Sequence, residues 1–568
     1  MRLEDKAAAE AWLRTHWPTP IRADGLLLLG QWPQHDAGPP ARWRELAALA
    51  AGRGLLTPAL AALRRGLEEA PDDAGLNSDL SRLLTETGDD AAAAGALDRL
   101  RPGSAARLPP LLTSYEAGTL ADSSELTGLL LSAPHWTPPH DRMVKAARRS
   151  GDAGLGATFA IRWMERHGIA PMAAARAGEA LLEAGAAEPA ARMLMPLWAA
   201  NEDTLKAMIG PAHPPPVDGG ALAGRIETAL RSPAQPPYDL AGAGLAVDAA
   251  DVLYVGPDIT DPHNGIANDI AGHLEGTAAA AGGRLELWLD DALGRPMELR
   301  VPDAVIAERI GLLRDHLHSR RPGIVILDCC WSPTGRGLNR DIMAELRREC
   351  GFRLVTLFRD ALEAAVSLLE YWAEISDGLL IFDPQSPAIA ALPGRCTVIP
   401  VPALHGPFRP GRNADGLLFM GGLAQTHRVM LLAALAAQSI GLRLVVGAER
   451  RRRSSTAQDY ASLLGQAAAV LNIATHDHAE TLVTGRVWES IACGAVLLEQ
   501  AGSGTRKFFT PWRHYLPWTH AGDIAAFAGI LERRNDLRQA IAGQALDFAR
   551  RHYPPDRTWR AILAAGLT

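Results

Sequence analysis

The stretch GRVWESIACGAVLLEQ (residues 485–500) sets a charged pair, Arg486 and Glu489, in an otherwise apolar helical segment. A small-residue turn, Ala492-Cys493-Gly494, follows, and then an apolar run from Ala495 to Leu498. Helix, glycine turn and buried strand in that order form one unit of a parallel α/β fold. A carboxylate inside such a unit needs a reason, because burying an unpaired charge is costly.

Similar runs lie on either side. GLLFMGG (416–422), RLVVGA (443–448) and AAVLNIA (468–474) are short and apolar, and helical segments separate them. An earlier series holds VLYVGP (252–257), GIVILD (323–328), RLVTLF (353–358), GLLIFD (378–383) and CTVIPV (396–401). Alternation of such runs with helices predicts parallel strands joined by crossover helices. Two series in succession predict two Rossmann-like domains, at 250–410 and 411–568, with a cleft between about 250–410 and 411–545. Ligands of open parallel sheets bind beyond the carboxyl ends of the strands. The last segment, DRTWRAILAAG (556–566), reads as a helix that packs back onto the first of these domains through Trp559.

The chain ahead of these domains is of another kind. Residues 43–73 and 76–104 each read as helix, glycine break, helix with small residues, and proline-containing turn. Gly54 and Gly88 are 34 residues apart, and 174–200 is a further degenerate copy. The period and the small-residue positions resemble tetratricopeptide repeats, although most of that family's aromatics are absent. The expected fold is therefore α + α/β, with a helical TPR-like domain over 1–209. GPAHPPPVDGG (210–220) and SPAQPPYDLAGAG (232–244) are rich in proline and glycine, so 210–249 is predicted to be a linker.

Composition removes several classes. A net charge of -7 offers no footprint for nucleic acid. The basic run Arg450 to Arg453 reads as a solvated loop. The five cysteines show no C-x-x-C spacing, which argues against a disulfide framework or a zinc knuckle and fits a reducing, cytoplasmic setting. The N-terminus lacks an apolar signal core, and no stretch approaches about 20 uninterrupted apolar residues, so no membrane span is expected.

LLFMGGLAQTHRVMLLAALA, DYASLLGQAAAVLNIA, GRVWESIACGAVLLEQ and the aromatic-ended helices after FFTPW follow one another in a set order. That order resembles the C-terminal domain of GT-B glycosyltransferases, above all the CgeB-like group with its R-x-x-E/D-x-x-A-x-G signature. The resemblance covers 416–568 well and reaches back more weakly to about 250. It implies a nucleotide-sugar donor site on the second domain. Glu489 matches the position that binds the ribose hydroxyls. Arg486 would contact the diphosphate or orient Glu489, the alternative being an exposed Arg–Glu pair three residues apart. Gly421 and Gly422 would admit phosphate close to the backbone. Asn472 ends a strand near the donor, Arg428 could pair with phosphate, and Lys507 could reach the leaving diphosphate.

On the first domain the loop GPDITDPHNGIAND (256–269) sets Asp258, Asp261, His263 and Asn264 toward the cleft. His263 or Asp360 could serve as general base in an inverting reaction. His476 lies in a loop that could touch the donor, but His-x-His with no third ligand does not make a metal site. The glutamate that retaining members carry eight residues before the ribose-binding one is Thr481 here, with Glu480 one position away. No D-x-D triplet occurs in the chain, which argues against a metal-dependent GT-A enzyme. No metal or other cofactor is expected, and protein groups would neutralise the diphosphate. The leading expectation is a bacterial glycosyltransferase whose helical repeats recruit a protein acceptor, such as a flagellar or surface subunit. A transferase acting on a polysaccharide or lipid-linked glycan, and a non-catalytic GT-B scaffold, are the competing readings.

Overall fold

The structure is a computed structural model. It describes residues 40–51, 56–87, 89–99, 107, 110–111, 113–114, 171–183, 185–258, 269–294, 301–328, 337–423, 425–438, 440–446, 456–476 and 480–567. Two compact units divide the chain, Met1–Leu194 and Met195–Thr568.

In the first unit, helices Pro40–Ala51, Leu56–Glu69, Ala74–Thr87 and Asp90–Asp98 pack each against the next. Their contact depends on small residues. A Cβ added at Gly66 would come within 2.9 Å of Trp43 and 3.0 Å of Leu76. Trp43, Leu63, Leu76 and Leu83 are buried around it. Helix Pro171–Glu183 follows, and after Gly185, whose φ of 75° is the left-handed conformation that ends a helix, comes helix Ala187–Ala200, of which the residues up to Leu194 belong to this unit. Gly54 and Gly88, which set the expected period, lie outside the described residues.

The second unit holds two parallel sheets. The first contains β1 (Val252–Gly256), β2 (Leu285–Leu289), β3 (Ile324–Leu327), β4 (Arg353–Phe358), β5 (Gly378–Ile381) and β6 (Cys396–Val398), in the order β2-β1-β3-β4-β5-β6. The second contains β7 (Asp415–Met420), β8 (Leu442–Val445), β9 (Ala467–Leu471), β10 (Val496–Gln500) and β11 (Leu516–Trp518), in the order β11-β10-β9-β7-β8. Strands β1, β3, β5, β9 and β10 are buried throughout, as near-continuous apolar runs require, and β4 and β7 are buried beyond their exposed first residues. β2 and β11 were not anticipated. β2 is an edge strand of mixed polarity, LELWL, half-buried along most of its length, and β11 is only three residues long and contains a proline.

The last helix, Pro555–Leu567, packs against β4, β5 and β6 and against helix Asp269–Ala281. Trp559 is fully buried and its indole N–H donates to the Val247 carbonyl at 2.9 Å. The chain therefore ends on the first of the two α/β domains after leaving the second.

Two expected boundaries need correction. Residues 195–209 group with the α/β unit, so the helical region ends earlier than 209. Residues 210–249 are no free linker but an ordered strap. Asp218 caps helix Gly219–Arg231 by accepting from the Gly220 and Ala221 amides. Arg513 donates to the carbonyls of Ala229, Leu230 and Ser232. The Gln235 amide donates to the Thr510 hydroxyl at 2.9 Å and the Tyr238 amide to the Tyr553 hydroxyl at 2.7 Å. Proline-rich backbone cannot pair as a strand, so distant side chains satisfy its polar groups instead.

Candidate active site

A parallel sheet forms a crevice where successive connections leave a strand in opposite directions. In the second sheet the chain goes from β7 to β8 on one side and returns to β9 on the other. The switch point therefore lies at the carboxyl ends of β7 and β9. Gly421 and Gly422 follow β7, and Asn472 follows β9.

Arg486 occupies this point. Its Nη1 donates to Asn472 Oδ1 at 3.2 Å, and its guanidinium lies 5.6 Å from the centre of the Phe419 ring. A Cβ at Gly421 would sit 3.1 Å from Arg486 Nη2, so glycine leaves the guanidinium its place. Arg486 is the second residue of helix Gly485–Ala492. Thr484 is the N-cap, but its hydroxyl donates to Asn472 Oδ1 at 3.2 Å and does not cap the helix. The switch point thus presents a half-buried cation beside an N-terminal turn without a side-chain cap, a combination suited to an anion.

Asn472 is fully buried. Its Nδ2 donates to Glu499 Oε2 at 2.7 Å, and its carbonyl accepts from the Trp518 indole at 3.1 Å. Glu499, at the end of β10, is also fully buried and accepts from the Thr505 hydroxyl at 3.2 Å. Burial pushes its carboxyl up to about 7, against the hydrogen bonds of Asn472, Ser503 and Thr505 and the charge of Arg486.

Glu489 lies one turn beyond Arg486 but points elsewhere. Its residue is 3% exposed, which excludes a solvated Arg–Glu pair. Oε1 is 3.0 Å from His273 Nε2, and Oε2 accepts from the Tyr460 hydroxyl at 2.6 Å. A carboxylate can only accept, so His273 Nε2 carries the proton of that bond. Burial pushes the Glu489 carboxyl up, but hydrogen bonds from His273 and Tyr460, with the charges of His273 and Arg486, outweigh it and hold the group below its ordinary value. His273 belongs to the first α/β domain. The buried carboxylate of the opening stretch is therefore a bridge between domains. His405 extends the bridge at 3.1 Å from His273 Nδ1, and burial lowers its imidazole to about 4.

Further bridges join the carboxyl edges of the two sheets. Asp383, just beyond β5 and 4% exposed, accepts from the Gln385 amide at 2.7 Å and the Val483 amide at 3.0 Å. Burial raises its carboxyl, with those two amides acting against the rise. Glu480 accepts from the Glu363 amide at 3.1 Å. Both contacts hold the loop that leads into helix Gly485–Ala492.

In the first sheet the switch point lies between β1 and β3. Asp328, just past β3, is 2% exposed; it accepts from the Tyr254 hydroxyl and pairs with Arg359. Asp258 is half-buried beyond β1, and Asp360 is exposed beyond β4. Asp261, His263 and Asn264 lie outside the described residues.

Of the expected donor residues, the structure brings together Gly421, Asn472 and Arg486. Gly422 is exposed at the rim, and its carbonyl accepts from Arg428 at 3.1 Å. Arg428 also donates to the Ile473 carbonyl, so it ties together the loops after β7 and β9. Lys507 is exposed on the short helix Thr505–Phe508. The His476 amide donates to the Glu480 carbonyl at 2.7 Å. Sequence reasoning passed over Asp328, Asp383 and Glu499. Each closes or nearly closes an apolar run, GIVILD, GLLIFD and AVLLEQ, and an acidic residue at the carboxyl end of a buried strand was the available signal.

Two parallel sheets whose carboxyl edges meet across bridging loops fit the GT-B arrangement. Residues 428–564 match the family model described as glycosyl transferase-like, and Asn472, Arg486, Glu489 and Glu499 all fall within that range. No curated protein matches the chain. Solved structures similar to it include Anabaena HepE in complex with UDP and glucose, at 9% identity and a TM-score of 0.38, covering 55% of this chain and 98% of that one. An O-GlcNAc transferase mutant of Thermobaculum terrenum has 15% identity and a TM-score of 0.31, covering 93% and 99%. T4 phage β-glucosyltransferase in complex with its UDP-glucose substrate has 12% identity and a TM-score of 0.35, covering 56% and 99%. Among the described residues no helix is long and apolar enough to cross a membrane.

Proposed function

We propose that this chain is a glycosyltransferase that takes a sugar from a nucleoside-diphosphate donor bound at the switch point of the second sheet. The observation that carries the reading is Arg486, held by a neutral amide beside Gly421 at that point. Its positive charge is not cancelled by direct contact with a carboxylate, and the adjoining helix N-terminus adds to the field. Arg486 would hold the diphosphate through ground state and departure, where negative charge grows on the leaving oxygen. Gly421 and Gly422 let the backbone approach it.

Glu489 has two successive roles in this proposal. Without donor it bridges to His273 and Tyr460; with donor it accepts from the ribose hydroxyls as the Tyr460 hydroxyl yields. The base comes from the first domain, with Asp360 and His263 as candidates, and Asp258, Asp261 and Asn264 would line the acceptor side. Lys507 and His476 would reach the donor only through loop movement. The reaction needs no metal: the chain lacks a D-x-D triplet and the diphosphate meets Arg486 instead. Activity should then survive a chelator.

The acceptor is proposed to be a protein, recruited by TPR-like pairs in the helical region, inside the cell. Paired helices that meet through Gly66 support this part. Thermal unfolding in a panel of nucleotide sugars tests the donor, since a ligand that binds only the folded state raises the midpoint. A midpoint unmoved by every member would sink the proposal. Deleting the helical region tests the acceptor: transfer at micromolar acceptor should disappear while donor hydrolysis persists, because tethering supplies an effective concentration near millimolar. Equal transfer rates with and without the region would remove recruitment.

A further inference from the structure

We infer that Glu499 is a positioning residue for diphosphate recognition, acting on Arg486 through Asn472. The inference rests on the proposed donor site. Glu499 and Asn472 are both fully buried, so neither amide nor carboxylate can turn to water for a partner. An amide has two orientations, and its partners choose between them. Glu499 Oε2 accepts from Asn472 Nδ2 at 2.7 Å and so draws that nitrogen to itself. Oδ1 is thereby turned the other way, where it receives Thr484 Oγ1 and Arg486 Nη1, each at 3.2 Å. The reversed amide would set Nδ2 against the Arg486 guanidinium, donor against donor. One buried carboxylate thus fixes the amide, and the amide fixes the cation.

The carboxylate does so without touching the guanidinium. A direct ion pair would saturate Arg486 and compete with a diphosphate. A neutral relay orients the cation and leaves its charge for the ligand. Thr505 holds the other Glu499 oxygen at 3.2 Å, which keeps the carboxylate aimed at Asn472.

The test compares the full-length chain with Glu499→Leu and Glu499→Gln. The probes are UDP, GDP, ADP and dTDP, each set against its own monophosphate, in titration calorimetry. Glu499→Leu removes the acceptor, so the affinity ratio of diphosphate over monophosphate should fall at least tenfold, the size of one charge-assisted hydrogen bond. Glu499→Gln keeps an accepting oxygen for Asn472 and should restore the ratio to within about threefold of the wild type. Adding Glu499→Leu to Arg486→Ala should cost nothing further, because both act on one contact. If Glu499→Leu does not fold, Thr505→Val, which is nearly the same shape, should lower the ratio in the same direction by about two- to fivefold. An unchanged ratio in folded Glu499→Leu, or in Thr505→Val in its place, overturns the inference, as does full additivity with Arg486→Ala. A wild type that binds none of the four diphosphates overturns the donor site itself, and the inference falls with it.

Discussion

At the carboxyl edge of the first sheet, Arg359 meets the buried carboxylate of Asp328. At the carboxyl edge of the second, Arg486 meets the neutral amide of Asn472, and the buried acid Glu499 stands one step behind that amide. Both sheets are parallel, both have a switch point, and both set an arginine near it. What differs is how the charge is neutralised. Arg359 is matched internally, so it holds its domain together. Arg486 is oriented without being matched, so it can still gain from an anion. A shared topology fixes where a ligand would sit, and in the proposed function the charge pairing there is what would direct a diphosphate to the second sheet.

The largest expected effect follows from the matched pair. Arg359→Ala leaves Asp328 buried beside Tyr254 without its cation, and breaking a buried pair from one side costs about 3–5 kcal/mol. Denaturant unfolding should show that loss, and diphosphate affinity should hardly change. If affinity collapses while stability holds, the first sheet is the donor side and the comparison is reversed.

Arg486→Ala should do the opposite. Loss of a charge-assisted contact to the ligand costs about 1.5–3 kcal/mol, a ten- to hundredfold rise in Kd for the nucleoside diphosphate. The loss should shrink as salt is added, because screening weakens a half-exposed contact. A salt-independent loss would point to a packing role for Arg486.

Glu499 sharpens the contrast through pH. Its folded carboxyl is pushed up to about 7 from an ordinary 4.5, so the folded state binds the proton more tightly than the unfolded one. The stability this adds is complete below the unfolded value and is lost as pH rises through the folded value. Glu499→Gln should therefore gain on the wild type between pH 5 and 8, by about 1–3 kcal/mol at the upper end. Parallel melting curves across that range would contradict a buried carboxylate there.

The smallest effects concern two glycines at matching places. A Cβ at Gly256 would sit 2.5 Å from the Tyr254 ring, which carries the hydroxyl bonded to Asp328. Gly256→Ala should cost about 1–3 kcal/mol of stability by overpacking. At Gly421 the neighbours are the end of a flexible arginine and the edge of the Phe419 ring, each at 3.1 Å, a looser fit than at Gly256. Gly421→Ala should change stability by less than about 1 kcal/mol and show itself as a severalfold weaker diphosphate affinity. Calorimetry and melting curves on both variants would show whether the split holds.

The alternation of apolar runs with helices was enough to place nine of the eleven strands among the described residues and to assign them to two sheets, because hydrophobic periodicity is a local property. The placement of Gly421, Asn472 and Arg486 at strand ends and at the start of a following helix was legible for the same reason: such positions are read from neighbouring residues. β2 and β11 escaped because an edge strand is half-solvated or short and lacks an apolar run. The strap over 210–249 read as a linker because its partners, Thr510, Arg513 and Tyr553, lie hundreds of residues away.

For the carboxylates the division is sharpest. The sequence alone determined that Glu489 lies in an apolar helix and that Asp328, Asp383 and Glu499 stand at strand ends. Only the tertiary structure decided that Glu489 meets His273 across 216 residues of chain, that Asp383 receives the Val483 amide, and that Glu499 receives the Asn472 side-chain amide. Apolar burial is non-directional and can be read one residue at a time. A buried charge must be satisfied by a particular donor at a particular angle, and that donor comes from wherever the fold brings the chain back.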